Sequence, residues 1–205
     1  MPDPLEHIGG LVCLDFANTV GPRRARADKD PHDYLTDFSS LVEWSVNAGT
    51  IGANRAGLLR KRIQRDPRAA QDALARAKRL RETVYAVFAA IARGDEPSGP
   101  ALHHLQQAYA DAMRQAKLVS TSAGLDWSWS PQGELDCVLW PIARSAAEVA
   151  VSADFGRIKE CLGHDGSCGW LFYDTSKNGL RRWCSMSACG TWEKSSKRAT
   201  TARKG

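Results

Sequence analysis

Four cysteines near the C-terminus, Cys161, Cys168, Cys184 and Cys189, follow the pattern C-x6-C-x15-C-x4-C. Two close pairs separated by a connector of this length can fold back as two knuckles and share one tetrahedral ion, so one structural Zn2+ is the first reading. Two disulfides, or buried thiols that only pack, are the alternatives. The compartment weighs between them: Met1-Pro2-Asp3-Pro4 begins no charged and apolar leader, and no run approaches the roughly 18 apolar residues of a membrane span. A cytoplasmic chain with no membrane partner is therefore expected, and paired cysteines in a reducing compartment more often hold metal than each other. The first spacing is looser than the usual two to four residues. His164 could replace a sulfur, although a surface-turn histidine is the simpler reading.

Charge is the second chemical signal. Residues 175–205 hold eight Lys or Arg against Glu193, a net of +7, which leaves the first 174 residues of this +5 chain at −2. A small basic module on a near-neutral body points to a polyanion partner for the module, with Lys177, Arg181, Arg182, Lys194, Lys197 and Arg198 as the candidate nucleic-acid contacts. The plainer alternative is that the charge only solvates a small fold and its tail. The third signal is Asp15 with Asn18 inside the apolar run Gly9–Val20. A carboxylate there is expensive unless hydrogen-bonded, so the pair either caps neighbouring backbone or lines a small ligand pocket. Arg76, Lys78, Arg79 and Arg81 crowd one helix and read as a solvated face. His103 and His104 are adjacent, so they cannot share a helix face, and neither reads as a metal ligand. The sequence carries no internal repeat, glycine-rich phosphate loop, G-x-S-x-G or H-E-x-x-H. No enzyme is expected: one would have to hide its site, and zinc would not be its catalyst, because four thiolates close the coordination sphere.

These residues need elements to hold them. Gly9–Val20 is a buried run too short for periodicity to separate strand from helix and is read as a short strand leading into a helical turn, and Gly21–Asp33 reads as a mobile loop. Phe38, Leu41, Val42 and Val46 before Gly49 give a helix over about 37–48. A second helix begins near Asn54 and carries Leu58, Leu59 and Ile63. Asp66-Pro67 starts a third, whose stripe from Ala70 to Ile91 runs to Gly94 and would span about 40 Å as the spine of the domain. Ala101–Ala116 repeats the helical spacing. Lys117–Thr121 and Leu125–Trp129 form a β-hairpin whose tryptophans must pack on helices, because a lone hairpin is marginal in water. Leu135–Ser152 is helical again, with Pro141 predicted to kink it. Cys13 and Cys137 read as buried thiols. Trp170–Asp174 reads as a short strand, Ser176-Lys177-Asn178-Gly179 as a turn, and the aromatics at 170, 172, 173 and 183 as the filling around the metal site. The fold class is mainly α with a small β-hairpin: a helical domain over 1–153 and a four-cysteine module over 154–205.

At Cys161, Cys168-Gly169-Trp170-Leu171-Phe172-Tyr173-Asp174-Thr175-Ser176-Lys177-Asn178, Arg181-Arg182-Trp183-Cys184-Ser185-Met186 and Cys189-Gly190, the chain resembles the bacterial CGNR-type zinc-finger family. In that family the finger follows an N-terminal domain of the ABATE type, and Leu14-Asp15-Phe16-Ala17-Asn18-Thr19-Val20 and Leu41-Val42-Glu43-Trp44 resemble its opening. The resemblance implies a stress-responsive transcription regulator, with the four cysteines as zinc ligands and the front domain as sensor. Where the family carries Asn-Arg after the last Cys-Gly, this chain carries Thr191-Trp192, which removes an arginine from beside the knuckle.

The leading expectation is a regulator whose zinc-fixed module meets nucleic acid, DNA first, while the helical domain binds a small-molecule effector or a second subunit as a homodimer. Its rivals are a zinc-stabilised protein-interaction module and an enzyme using a pocket around Asp15 and Asn18.

Overall fold

The computed structural model describes residues 6–24, 30–129, 134–163 and 166–190. Helices α1 (Val12–Ala17), α2 (Phe38–Asn47), α3 (Ala53–Arg65), α4 (Pro67–Arg93), α5 (Gly99–Arg114) and α6 (Trp140–Ser152) are accompanied by antiparallel two-stranded ladders after α1, after the run α2 to α5, and after α6. These pair β1 (Val20–Gly21) with β2 (His32–Asp33), β3 (Ala116–Thr121) with β4 (Gly124–Trp129), and β5 (Ile158–Glu160) with β6 (Leu171–Tyr173). The architecture is mainly helical, with the four cysteines gathered at its C-terminal end.

Helix α4 is the spine. Asp66 caps it by accepting from the Ala69 N–H at 3.0 Å, Pro67 sits in the first turn, and Gly94 closes it at φ 79°, a conformation a side chain would resist. Ala70, Ala73, Ala77, Leu80, Val84, Val87 and Phe88 make one buried stripe along its 27 residues. Helices α1, α2, α3 and α5 and both strands of the β5–β6 ladder pack against it. Asp37 and Ser40 start α2 with a reciprocal capping box.

Several sequence expectations change. Val12–Ala17 is helical throughout, and no strand precedes it among the described residues. The segment read as a mobile loop is tied at both ends, by the β1–β2 ladder and by Arg23 and Arg24, whose N–H groups donate to Cys168 O and Ser167 O at 2.8 and 3.2 Å; residues 25–29 lie outside the described residues. Pro141 falls in the first turn of α6, after a separate 3-10 turn at Leu135–Val138, so it starts the helix instead of kinking it. Only Trp129 of the hairpin tryptophans is buried, donating its indole N–H to Ala112 O at 2.7 Å; Trp127 and Leu125 are exposed. The basic crowd on α4 is a solvated face only in part: Arg79 is exposed, while its three companions are paired. Arg81 is buried and forks onto Asp33 at 2.7 and 3.0 Å, Lys78 joins the same carboxylate at 2.9 Å, and Arg76 pairs with Asp136. Burial opposes ionisation of Asp33, but these two cations more than offset it and hold the carboxyl down to about 2.

Strand β6 joins the two parts of the chain, and its pleat explains how. Alternate residues of a strand face opposite ways. Leu171 enters the apolar core of the helical body, with Tyr173 packed beside it, while Trp170 and Phe172 enter a second cluster made with the four cysteines. The paired strand obeys the same alternation. Ile158 lies in the body core, Glu160 bonds Tyr85 and Arg93 of α4, and Lys159 points the other way to Asp174.

Candidate metal centre

Cys161 follows β5, Cys168 precedes β6, Cys184 lies two residues before a wide helical turn at Met186–Gly190, and Cys189 lies within that turn. All four are buried, and their sulfurs lie within 4.8 Å of one another. The Sγ–Sγ separations Cys168–Cys184 and Cys184–Cys189 are both 3.7 Å. Four thiolates at the usual zinc–sulfur distance of about 2.3 Å occupy a tetrahedron with an edge of about 3.8 Å, so the donor set fits one zinc ion. These sulfurs are too far apart for disulfides, whose bond is about 2.05 Å, and all are free thiols. Four thiolates this close repel one another, and their burial adds to the cost of charging them. A divalent ion removes that conflict by favouring all four thiolates. When bound, it supplies a closed structural cross-link with no open position for water.

The first knuckle is shaped by backbone. The Gly163 N–H donates to Cys161 Sγ at 3.4 Å, and Cys161 and the 169–170 segment exchange two backbone bonds of 2.8 Å. Gly169 holds φ +68° where a Cβ would lie 2.7 Å from the Cβ of Arg23; a side chain is excluded both by conformation and by the body's approach. The second knuckle hangs on Asp174, whose carboxylate accepts from the N–H groups of Ser176 and Arg181 and from Lys159 Nζ at 2.8–2.9 Å. Burial works against that charge, yet the Ser176 and Lys159 bonds bring the carboxyl below its ordinary range.

Asp15 and Asn18 attach this module to the body. Asp15 Oδ1 accepts the Gly9 N–H at 2.7 Å, and Gly9 O in turn accepts from Tyr173 N at 2.8 Å. Asn18 exchanges two bonds with Leu171, giving Nδ2–H to its carbonyl at 2.8 Å and taking its N–H at 2.9 Å. The side-chain amide thus copies a peptide group along the free edge of β6. Desolvation pushes the Asp15 carboxyl up to about 6, partly offset by the Gly9 bond. Both residues spend these polar atoms on backbone, and neither lines the described cavities.

Of the candidate nucleic-acid residues, Lys177 and Arg182 are exposed on the module, Arg182 with its guanidinium 5.2 Å from the Trp183 ring centre. Arg181 is spent on structure: it lies 4.7 Å over Phe172 and donates to the carbonyls of Trp183, Cys184 and Ile8. Lys194, Lys197 and Arg198 lie outside the described residues, as do His164, Thr191 and Trp192. Cys13 and Cys137 are buried far from ionisation, pushed up to about 12 and about 11 by desolvation. Three structural residues escape a reading based on the charge and apolar pattern: Asp174, Lys159 and Arg23. A carboxylate ending an apolar strand just before Ser176-Lys177-Asn178-Gly179 is the turn signal that marks Asp174; the partners of Lys159 and Arg23 lie far away in sequence and leave no such signal.

Residues 10–153 match the ABATE family model, described as "Putative stress-induced transcription regulator", and residues 157–204 match the CGNR zinc finger. The chain belongs to the ABATE family. As an ABATE-family protein it carries its zinc finger C-terminal to the matched domain, and the four thiols that the geometry brings together lie within the finger match. Among proteins of curated function, none matches this chain. No helix among the described residues is long and apolar enough to cross a membrane.

Proposed function

We propose that this ABATE-family protein is a cytoplasmic DNA-binding transcription regulator in which the zinc ion fixes the module and the module's cations grip the phosphate backbone. The observation that carries this reading is a closed four-thiolate site bearing a segment of net +7, with Lys177 and Arg182 turned to solvent. A sphere of four thiolates does no chemistry on a substrate, so its use is to hold a surface. Arg181 leaves the set of phosphate contacts, because moving its guanidinium would unpair the carbonyls of the second knuckle. Lys177, Arg182, Lys194, Lys197 and Arg198 remain. The helical body serves as the sensor: an apolar cleft of about 300 Å³ between α5 and α6, lined by Leu105, Tyr109 and Val151, has room for a small effector or a side chain of a second subunit.

Salt titration of duplex binding tests the reading. Five phosphate contacts give a slope of log affinity against log salt of roughly −4 to −5. Charge reversal at Lys177 and Arg182 should lower the magnitude of that slope by about 2. A slope near zero for the zinc-loaded protein would remove DNA as the partner.

A further inference from the structure

A groove of about 750 Å³ runs between the C-terminal end of α4, the turn at Phe155–Gly156 and the first knuckle. It draws cations from both parts of the chain, Arg24 and Arg93 from the body and Arg182 from the module, against one acid among its described lining residues, Glu160. That acid does not face a ligand. The Glu160 side chain is only 3% exposed and lies beneath two guanidiniums. Arg93 forks onto it through Nε and Nη2 at 2.7 and 2.9 Å, Arg24 reaches it at 3.0 and 3.2 Å, and the Tyr85 hydroxyl adds a bond of 3.0 Å. The side chains of Arg93 and Arg24 stay 48% and 33% exposed, so the guanidiniums meet solvent and the carboxylate orients them from behind. Beside them Phe155 and Leu162, each 46% exposed, give the groove an apolar surface. The neighbouring carboxylate of Asp154 is turned to Arg157 at 3.5 Å and to the Gly156 N–H at 3.0 Å.

Planar guanidiniums held in a fixed orientation suit phosphate oxygens, and a flat apolar side chain next to them suits a base. We propose that this groove binds a nucleotide, with Arg93 and Arg182 on the phosphate and the base against Phe155 and Leu162. Orienting the guanidiniums in advance through Glu160 removes part of the entropy cost of capture. The same chemistry is offered by a free nucleotide and by a nucleotide unit of a single strand. The site shares Arg182 with the duplex-binding reading and otherwise stands apart from it.

The test uses the full-length, zinc-loaded chain with two probes, ATP by calorimetry and a labelled oligothymidylate by fluorescence anisotropy. Wild type is expected to bind at least one. Phe155→Ala and Arg182→Gln should each weaken that probe about tenfold, the scale of one lost stacking or phosphate contact. Arg93→Lys keeps the charge and a partner for Glu160 but loses the fork; it should weaken binding about fivefold with an unchanged melting temperature. Arg114→Gln removes the same charge from the end of α5, outside the groove, and should leave affinity as in wild type. Binding of ATP alone makes a free nucleotide the ligand; binding of the oligonucleotide alone makes it a strand. Failure of both probes, wild-type affinity in Phe155→Ala and Arg93→Lys, or equal weakening by Arg114→Gln overturns the proposal. Duplex affinity measured on the same variants keeps the two readings apart: it should survive Phe155→Ala and Arg93→Lys.

Discussion

The helical body and the four-cysteine module solve the same problem with different material. The body encloses Phe16, Leu14, Leu41, Val84, Phe88 and Ile142 around α4 and can rely on apolar burial. The module encloses four sulfurs, Trp170 and Phe172, an inventory too small for an independent hydrophobic core. An ion must supply there what area supplies in the body. Yet the two are not separate bodies on a linker, because β6 gives alternate side chains to each. Composition divides the chain near residue 154, whereas packing divides it across the faces of one three-residue strand. A small metal-dependent unit can thus borrow rigidity from a larger neighbour through a strand whose two faces serve both.

Perturbing the module's ligands should separate the two regions most strongly. Cys184→Ser is expected to take metal content from one ion per chain to none, forfeiting apparent binding on the order of 10 to 16 kcal/mol, while far-ultraviolet circular dichroism keeps the helical signal of the body. Full metal retention would remove Cys184 from the ligand set. Truncating the body core does the converse: Phe88→Ala should cost about 3–5 kcal/mol in denaturant unfolding, with metal content intact in the folded protein. The joint comes next. Asn18→Ala leaves the buried N–H and C=O of Leu171 unpaired and should cost about 2–3 kcal/mol. Unlike Phe88→Ala it should also weaken zinc affinity in a chelator competition, without abolishing binding as Cys184→Ser does; an unchanged affinity would mean that the joint carries no coupling.

The last effect depends on pH and reaches its full size only at one end of the range. The folded state holds the Asp15 proton up to about pH 6, against about 3.9 in the unfolded chain. Its contribution is therefore fully present below about pH 4 and is lost as pH rises through about 6. Asp15→Asn keeps an oxygen for Gly9 and cannot ionise, so it should gain on wild type by up to about 2–3 kcal/mol between those limits. Identical pH profiles for the two proteins would place the carboxyl in a wetter setting than the structure gives it.

How much of this was legible from residues alone follows from the range of each interaction. Helix α4 is visible because its signals are local: Asp66-Pro67 at one end, Gly94 at the other and a 3.6-residue stripe between. The sulfur tetrahedron is legible through spacing, since ligand pairs have to sit near each other in the chain. Asn18 shows its cost, a buried amide, but not its partner, which lies 153 residues away. Arg81 looks like its exposed neighbours until Asp33 is brought beside it, and Arg181 looks like a phosphate contact until three carbonyls converge on its guanidinium. Trp127 fails in the opposite direction: the alternating pattern of β4 is real, but only Trp129, at the strand's base, reaches the helices.

The amide of Asn18 has one more consequence. Because it grips Leu171 only when the module's strand is in place, and the ion is held only when that strand delivers its cysteine, metal occupancy and body stability are linked functions. By reciprocity, the free energy with which bound zinc stabilises the joint is the free energy with which a closed joint raises the affinity for zinc, and a finger excised from the chain should release its ion more readily than one still attached. The body is then, in the thermodynamic sense, an effector of its own finger.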